Sequence, residues 1–344
     1  MERIEVGVLG ATGSVGQRLI QLLENHPYFK LTNLAASEKS VGKKYGEVMR
    51  EKWFVSDKIP EYAKNLVIKE CKPNFDCRIV FSALDSSIAA EIEKSFLEKG
   101  YIIISNSSNF RMENDIPLII PEVNAEHIKL VEGKSSFIIK NPNCSATGLV
   151  LALAPLHKKF KIKRIFVTTM QALSGAGYPG VSSIDIIDNI IPYISNEEEK
   201  IELEPLKILG NFKKGKIEFA DIKITAHCNR VNVLDGHLES VSFELEKKVS
   251  IEEIKREMIN FNPLKDLNLP TSPKQPIIFL DEVNRPQPRL DRDIEKGMSC
   301  VVGRLRKCNV LDYKLTILSN NSIRGAAGGA LLNAELLYRK GVLK

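Results

Sequence analysis

The sequence has one cysteine whose neighbours suit covalent chemistry. Cys144 lies in "NPNCSATGL", Asn141 to Leu149, immediately before an apolar stretch with the look of a helix. A helix N-terminus stabilises a thiolate, and Asn143 offers an amide donor for an oxyanion. Cysteine is also among the most buried residue types, so a plain core thiol fits the same nine residues. A nucleophile needs a base close by in space. Of the five histidines, His26 precedes a proline, His127 and His157 fall on expected helical surfaces, and His227 lies within a strand. His237 follows Asp235-Gly236, a two-residue hairpin signal. That hairpin would pair Leu234 with His237 and bring Arg230 onto the same face, setting a carboxylate clamp beside a general base. A histidine that merely satisfies its turn is the structural alternative.

Three further stretches carry chemistry. "QALSGAGYPG" ends a strand with Gln171 and continues through Ser174, Gly175 and Gly177, small enough to lie against a flat ring. "SNSSNFR" delivers Arg111 just past a strand, suited to phosphate or carboxylate. The acidic run "NEEEKIELEPLKILG" reads by default as an exposed helix with i,i+4 charge pairs. Cys228, Cys300 and Cys308 read as ordinary strand thiols.

The elements that must hold these residues alternate in type. Short apolar strands ("IEVGVLG", "KLTNLAAS", "CRIVFSAL", "YIIISNS") interleave with amphipathic helices up to about residue 143, which predicts a parallel sheet covered on both faces. From Cys144 the pattern turns to one buried helix and longer amphipathic strands, predicting an α+β domain with a mostly antiparallel sheet. The boundary then falls beside Cys144, and junctions between domains favour ligand sites. "GVLGATGSVGQRL" places Gly10, Gly13 and Gly16 between the first strand and first helix, with Thr12, Ser14 and Val15 between them. Such a turn admits a pyrophosphate to the helix N-terminus. After the second strand, Ser37, Lys39 and Ser40 offer hydroxyls and an ammonium for a 2′-phosphate, pointing to NADP, while Glu38 keeps NAD open.

Composition bounds the rest. The 344 residues are 43% hydrophobic and 27% charged, with a net charge of +6 spread along the chain, not in a nucleic-acid-binding block. Neither an apolar run of membrane-spanning length nor a C-x-x-C pair is present. A chain of this kind is expected in a reducing cytoplasm, with small molecules as partners and no bound metal.

In order along the chain, "GATGSVG", "ASEKSVGKKYG", "SNSSNFR", "NPNCSATGL", "QALSGAGYPG", "NEEEKIELEPLKILG", "RVNVLDGH" and "NSIRGAAGGALLNAEL" resemble the aspartate-semialdehyde dehydrogenases, most closely the archaeal and fungal branch. The resemblance implies a glyceraldehyde-3-phosphate-dehydrogenase-like architecture. Residues 1–143 would form a Rossmann-like NADP-binding domain, completed by a returning C-terminal helix within 321–344, and residues 144–320 a catalytic and dimerisation domain. It implies Cys144 as nucleophile, His237 as acid/base and Gln171 as the residue that orients the acyl intermediate. Arg230 would clamp the substrate carboxylate, Arg111 and Lys200 would bind phosphate, and Glu197 would take the substrate ammonium, with Glu198 one step away in register. Ser82 and Asn321 join the implied cofactor site. Lys39 stands where many relatives carry arginine, and Asn232 where proline is common. The implied reaction is reduction of 4-phospho-L-aspartate to L-aspartate 4-semialdehyde through a thioester, serving lysine, threonine, methionine and isoleucine biosynthesis, in a homodimer or homotetramer. Malonyl-CoA reductase, N-acetylglutamyl-phosphate reductase and a non-catalytic NADP-binding regulator are the rival readings.

Overall fold

The computed structural model describes residues 2–55 and 57–343. Two six-stranded sheets organise the chain. The first is wholly parallel and contains β1 (Ile4–Leu9), β2 (Phe29–Ala35), β3 (Ile68–Lys69), β4 (Ile79–Ser82), β5 (Ile102–Ser105) and β6 (Phe137–Lys140). Its order, β3-β2-β1-β4-β5-β6, is that of a dinucleotide-binding sheet with its switch point between β1 and β4. β4, β5 and β6 are buried along their whole length, as strands covered on both faces must be. Helices α1 (Ser14–Leu22) and α2 (Ser86–Glu98) follow β1 and β4, and Asp85 caps α2 by accepting the Ser87 N–H.

Helix α3 (Cys144–Phe160) begins where β6 ends and is buried from Ser145 to Leu156. Its apolar surface lies on the second sheet, so hydrophobic burial fixes the helix and with it the position of Cys144. That sheet contains β7 (Ile162–Gln171), β10 (Lys223–Arg230), β11 (His237–Leu245), β12 (Ile277–Leu280), β13 (Cys300–Lys307) and β14 (Tyr313–Ser319), in the order β10-β7-β11-β14-β13-β12. β8 (Asn211–Lys213) and β9 (Lys216–Glu218) form a separate small hairpin. The centre of the second sheet is antiparallel, as its amphipathic strands predict, and each edge strand pairs in parallel.

Helix α4 (Glu197–Ile208) packs beside β10. Its Glu198 and Glu202 accept the outward N–H groups of Cys228 and Ala226, which blunts that sheet edge. Helix α5 (Ile251–Ile259) opens with Ser250 accepting the Glu253 N–H. The last helix, α6 (Gly328–Arg339), buries Leu331, Leu332, Leu336 and Leu337 in the core of the first sheet. Arg324, just before it, is pinned by a buried two-pronged ion pair to Glu122, at 2.7 and 2.5 Å. Among the described residues no helix is long and apolar enough to cross a membrane.

Candidate active site

Sheet register alone brings three of the candidate residues together. Arg230 pairs with Gln171 across the parallel β10–β7 ladder, so their side chains share a face. On the other side of β7, Leu238 pairs with Met170, which puts His237 level with Gln171. The expected hairpin does not form. β10 and β11 flank β7 instead of pairing with each other, and residues 231–236 cross over the end of β7. The chain bends at Leu234 and Asp235, with Gly236 at φ +96°, but the bend serves this crossing. Parallel pairing to β7 satisfies β10, so Arg230 and His237 meet through their common neighbour. A Cβ added to Gly175 would lie 2.9 Å from Arg230 Nη1 and 3.2 Å from His237 Nε2, which measures how closely all three approach.

The other partner is α3. His237 Nε2 lies 3.2 Å from Cys144 Sγ, while Nδ1 accepts the Ala172 N–H at 3.0 Å. A backbone N–H can only donate, so Nδ1 carries the lone pair and the ring proton resides on Nε2, facing the sulfur. The carbonyl of the same residue accepts from Arg230 Nη1 at 2.6 Å, so Ala172 orients both side chains. His237 is fully buried, and burial together with Arg230 pushes it down to about 3. Cys144 keeps part of its surface open to the cleft. The surrounding protein and then Glu197 nevertheless push its thiol up to about 12, against the pull of Arg230, Arg111 and the Ser145 N–H. Expectation and structure differ here: the helix terminus does favour the thiolate, but desolvation is the larger effect in the resting site.

Asn143 also differs from its expected part. Its side-chain oxygen caps α3, accepting from Ser145 and Ala146 N–H at 2.9 and 3.1 Å. Its amide nitrogen donates to both Glu197 oxygens at 3.0 and 2.9 Å, so it orients a carboxylate and not an oxyanion. Glu197 also accepts from Gln171 at 3.2 Å and pairs with Lys200 at 3.0 Å. These donors hold its carboxyl below the usual range despite burial. Glu197 borders the cleft, whereas Glu198, on the same helix, turns to the edge of β10. The acidic run is correspondingly not a solvated face, because Glu197, Glu204 and Lys207 are buried. His127 is not on a surface either: it is fully buried, between Asn124 and the Gly210 carbonyl.

Asn143 and Glu197 border a cleft of about 440 Å³ between the two sheets. Cys144, Arg111 and Lys200 line one part of it, and Gly13, Ser14 and Val15 another. Asn321 joins the walls, accepting the Gly236 N–H and donating to Ser174 Oγ, each at 2.8 Å. The glycine turn fits a dinucleotide. A Cβ on Gly16 would sit 2.3 Å from the Gly10 carbonyl, and α1 starts without a side-chain cap, leaving its first N–H groups for a ligand. Beyond β2, Ser37 and Lys39 are exposed at the start and middle of a short turn, and Ser40 is buried. Ser82 is buried at the end of β4, and Thr12 lies within the turn. Sequence reading missed Ala172, which acts through its backbone and leaves no residue signal. It also missed Glu204, whose signal was present: seven residues after Glu197, it falls on the same helical face.

A parallel nucleotide-binding sheet facing a cysteine–histidine pair defines the class: a nicotinamide-dependent oxidoreductase. Residues 5–131 match the model of the semialdehyde dehydrogenase NAD binding domain, and residues 153–324 that of the semialdehyde dehydrogenase dimerisation domain. An aspartate-semialdehyde dehydrogenase of Archaeoglobus fulgidus is 52% identical, covering 99% of this chain and 100% of its own. The Saccharomyces cerevisiae enzyme of that name is 46% identical, at 98% coverage of each. The crystal structure of the Candida albicans enzyme with NADP superposes with a TM-score of 0.92 at 44% identity, over 99% of this chain and 100% of that one. The chain belongs to the aspartate-semialdehyde dehydrogenase family and is an oxidoreductase.

Proposed function

We propose that this chain reduces 4-phospho-L-aspartate to L-aspartate 4-semialdehyde with NADPH, releasing phosphate. The observation that carries the reading is the Cys144–His237 contact, set beside one buried carboxylate (Glu197) and two guanidinium groups (Arg230, Arg111). That pattern matches an acyl phosphate with an ammonium and a carboxylate: Glu197 takes the ammonium, Arg230 the carboxylate, and Arg111 with Lys200 the phosphate. The substrate ammonium, once on Glu197, cancels the lesser of the two effects that raise the Cys144 thiol, the larger being burial. The sulfur attacks the acyl carbon, the carbon–oxygen bond to phosphate breaks, and a thioester forms while the thiol proton leaves with the departing phosphate. NADPH, when bound, supplies the hydride that converts the thioester to a thiohemiacetal alkoxide. His237 Nε2–H donates a hydrogen bond to that oxygen. Collapse reforms the carbonyl and expels the thiolate, which takes a proton from water to restore the resting thiol, so no proton need leave the ring. Gln171 orients Glu197.

Gly10, Gly13 and Gly16, with Thr12, Ser14 and Val15, would hold the pyrophosphate. Ser37, Lys39 and Ser40 would meet the 2′-phosphate, and Ser174, Gly175, Gly177, Asn321 and Ser82 the remainder. The Candida relative's NADP supports this cofactor over NAD. The relatives also favour aspartate semialdehyde over malonyl-CoA or N-acetylglutamyl phosphate, and catalysis over a purely regulatory role. Assay settles the substrate. Aspartate semialdehyde, phosphate and NADP should give NADPH absorbance, and turnover only with malonyl-CoA and NADPH would refute the assignment. Cys144→Ser should abolish the reaction.

Residues 144–320 also serve assembly in this reading, and the protein is a homodimer. The face of the second sheet away from α3 exposes Phe166, with Ile224, Val310 and Leu311 around an apolar recess. A second copy suits that face because the matching family model is a dimerisation domain. Six free thiols suit the cytoplasm.

A further inference from the structure

Helix α4 presents Glu197, Lys200, Glu204 and Lys207 at intervals of three, four and three residues, which places all four on one face. The first two belong to the site described above. The second two reach away from the cleft, to the loop that carries Arg111. Glu204 is 2% exposed, and one of its oxygens accepts from Arg111 Nη1 at 2.8 Å. Its other oxygen accepts the backbone N–H of Asn143 at 2.6 Å, the residue that caps the nucleophile helix. Lys207 is fully buried, and its ammonium donates to the carbonyls of Arg111 and Ile116, at 2.7 Å each, and of Glu113. Arg111 is thus gripped at its guanidinium and at its backbone. Its Nη2 is tied to the Asn106 carbonyl at 2.7 Å, and its Nε has no protein partner.

We infer that Glu204 and Lys207 are positioning residues that set Arg111, and with it the phosphate subsite, at a fixed distance from Cys144. Neither touches substrate. Glu204 measures that distance directly, because its two oxygens hold the arginine on one side and the base of the nucleophile helix on the other. Lys207 closes the 111–116 loop around its own ammonium, which donates to three backbone carbonyls at once. The inference rests on the reading of Arg111 as a phosphate ligand.

Charge alone predicts a different result, and this makes the idea testable. Removing a carboxylate beside Arg111 makes the subsite more positive, so a purely electrostatic role for Glu204 predicts tighter phosphate binding in Glu204→Gln. Positioning predicts the reverse, since a misplacement near 1 Å costs up to about 100-fold. The experiment is steady-state kinetics in the direction of aldehyde oxidation, varying phosphate and aspartate semialdehyde separately. Glu204→Gln and Lys207→Gln should each raise the phosphate KM by about tenfold or more, with the aldehyde KM within about twofold of wild type. Glu204→Asp keeps the charge but shortens the reach, and should behave like Glu204→Gln; it also decides the matter if either glutamine variant fails to fold. An unchanged or lowered phosphate KM in the folded Glu204 variants overturns the proposal. Arg111→Ala is the control. A phosphate KM it leaves unchanged overturns the assignment of Arg111 itself, whereas a large rise there with no effect at Glu204 overturns only the positioning role.

Discussion

His237 is the residue whose detailed chemistry is most constrained. The Ala172 N–H occupies its Nδ1, and burial beside Arg230 opposes a second proton. A thiolate–imidazolium pair would require breaking the Ala172 bond. In the proposed reaction the ring therefore works as a neutral Nε2–H donor. Glutamine can place an N–H near the position of Nε2, so His237→Gln should retain at least about tenfold more activity than His237→Ala; equal losses would point to proton transfer by the ring. Nitrogen NMR should find Nδ1 unprotonated from pH 5 to 8, and an imidazolium signal in that range would contradict the assignment. The pH dependence of Cys144 follows the other sign. Its raised thiol leaves little thiolate near neutrality in the free enzyme, so alkylation should climb about tenfold per pH unit to beyond pH 9. A plateau below pH 8 would refute that.

At the scale of elements, α3 and α4 are joined through Asn143. One amide caps α3 and fixes Glu197 on α4, so a single substitution should separate stability from catalysis. Losing an asparagine N-cap costs about 1 kcal/mol, an effect readable by denaturant unfolding. Asn143→Ala should pay that amount and in addition raise the KM for aspartate semialdehyde, because Glu197 loses two donors. Asn143→Asp would keep the cap but confront Glu197 with a second carboxylate. It should therefore retain stability better than it retains substrate affinity, and parallel losses in the two measurements would show that the contact with Glu197 is immaterial. Much of this level was legible beforehand. The apolar helix and the strand ending in Gln171 are local patterns of period 3.6 and 2, whereas the sequence assigns Asn143 to an oxyanion and not to the helix cap. The pairing of β10 and β11 was not, because an Asp-Gly turn signals a reversal without specifying which strand lies between its arms.

Across the whole molecule, the second sheet buries one face under α3 and leaves Phe166 42% exposed on the other. A dimer formed there should be broken by a charge at its centre. Phe166→Glu is expected to shift the sedimentation coefficient from dimer to monomer, and an unchanged dimer would place the interface elsewhere. The N-terminal strand–helix alternation and the glycine turn could be read from the chain because hydrophobic burial and backbone geometry write them into adjacent residues, whereas the return of the last helix was implied only by the family resemblance. Cys144 could be proposed as a nucleophile for the same reason. Tertiary structure decided which groups surround it. Arg230, Gln171 and His237 converge because three strands end at one level. Glu204 reaches Arg111, 93 positions away in sequence, because α4 packs across the junction of the two sheets. The balance of burial against charge that keeps the thiol protonated depends on distances through space, and sequence spacing does not encode those distances.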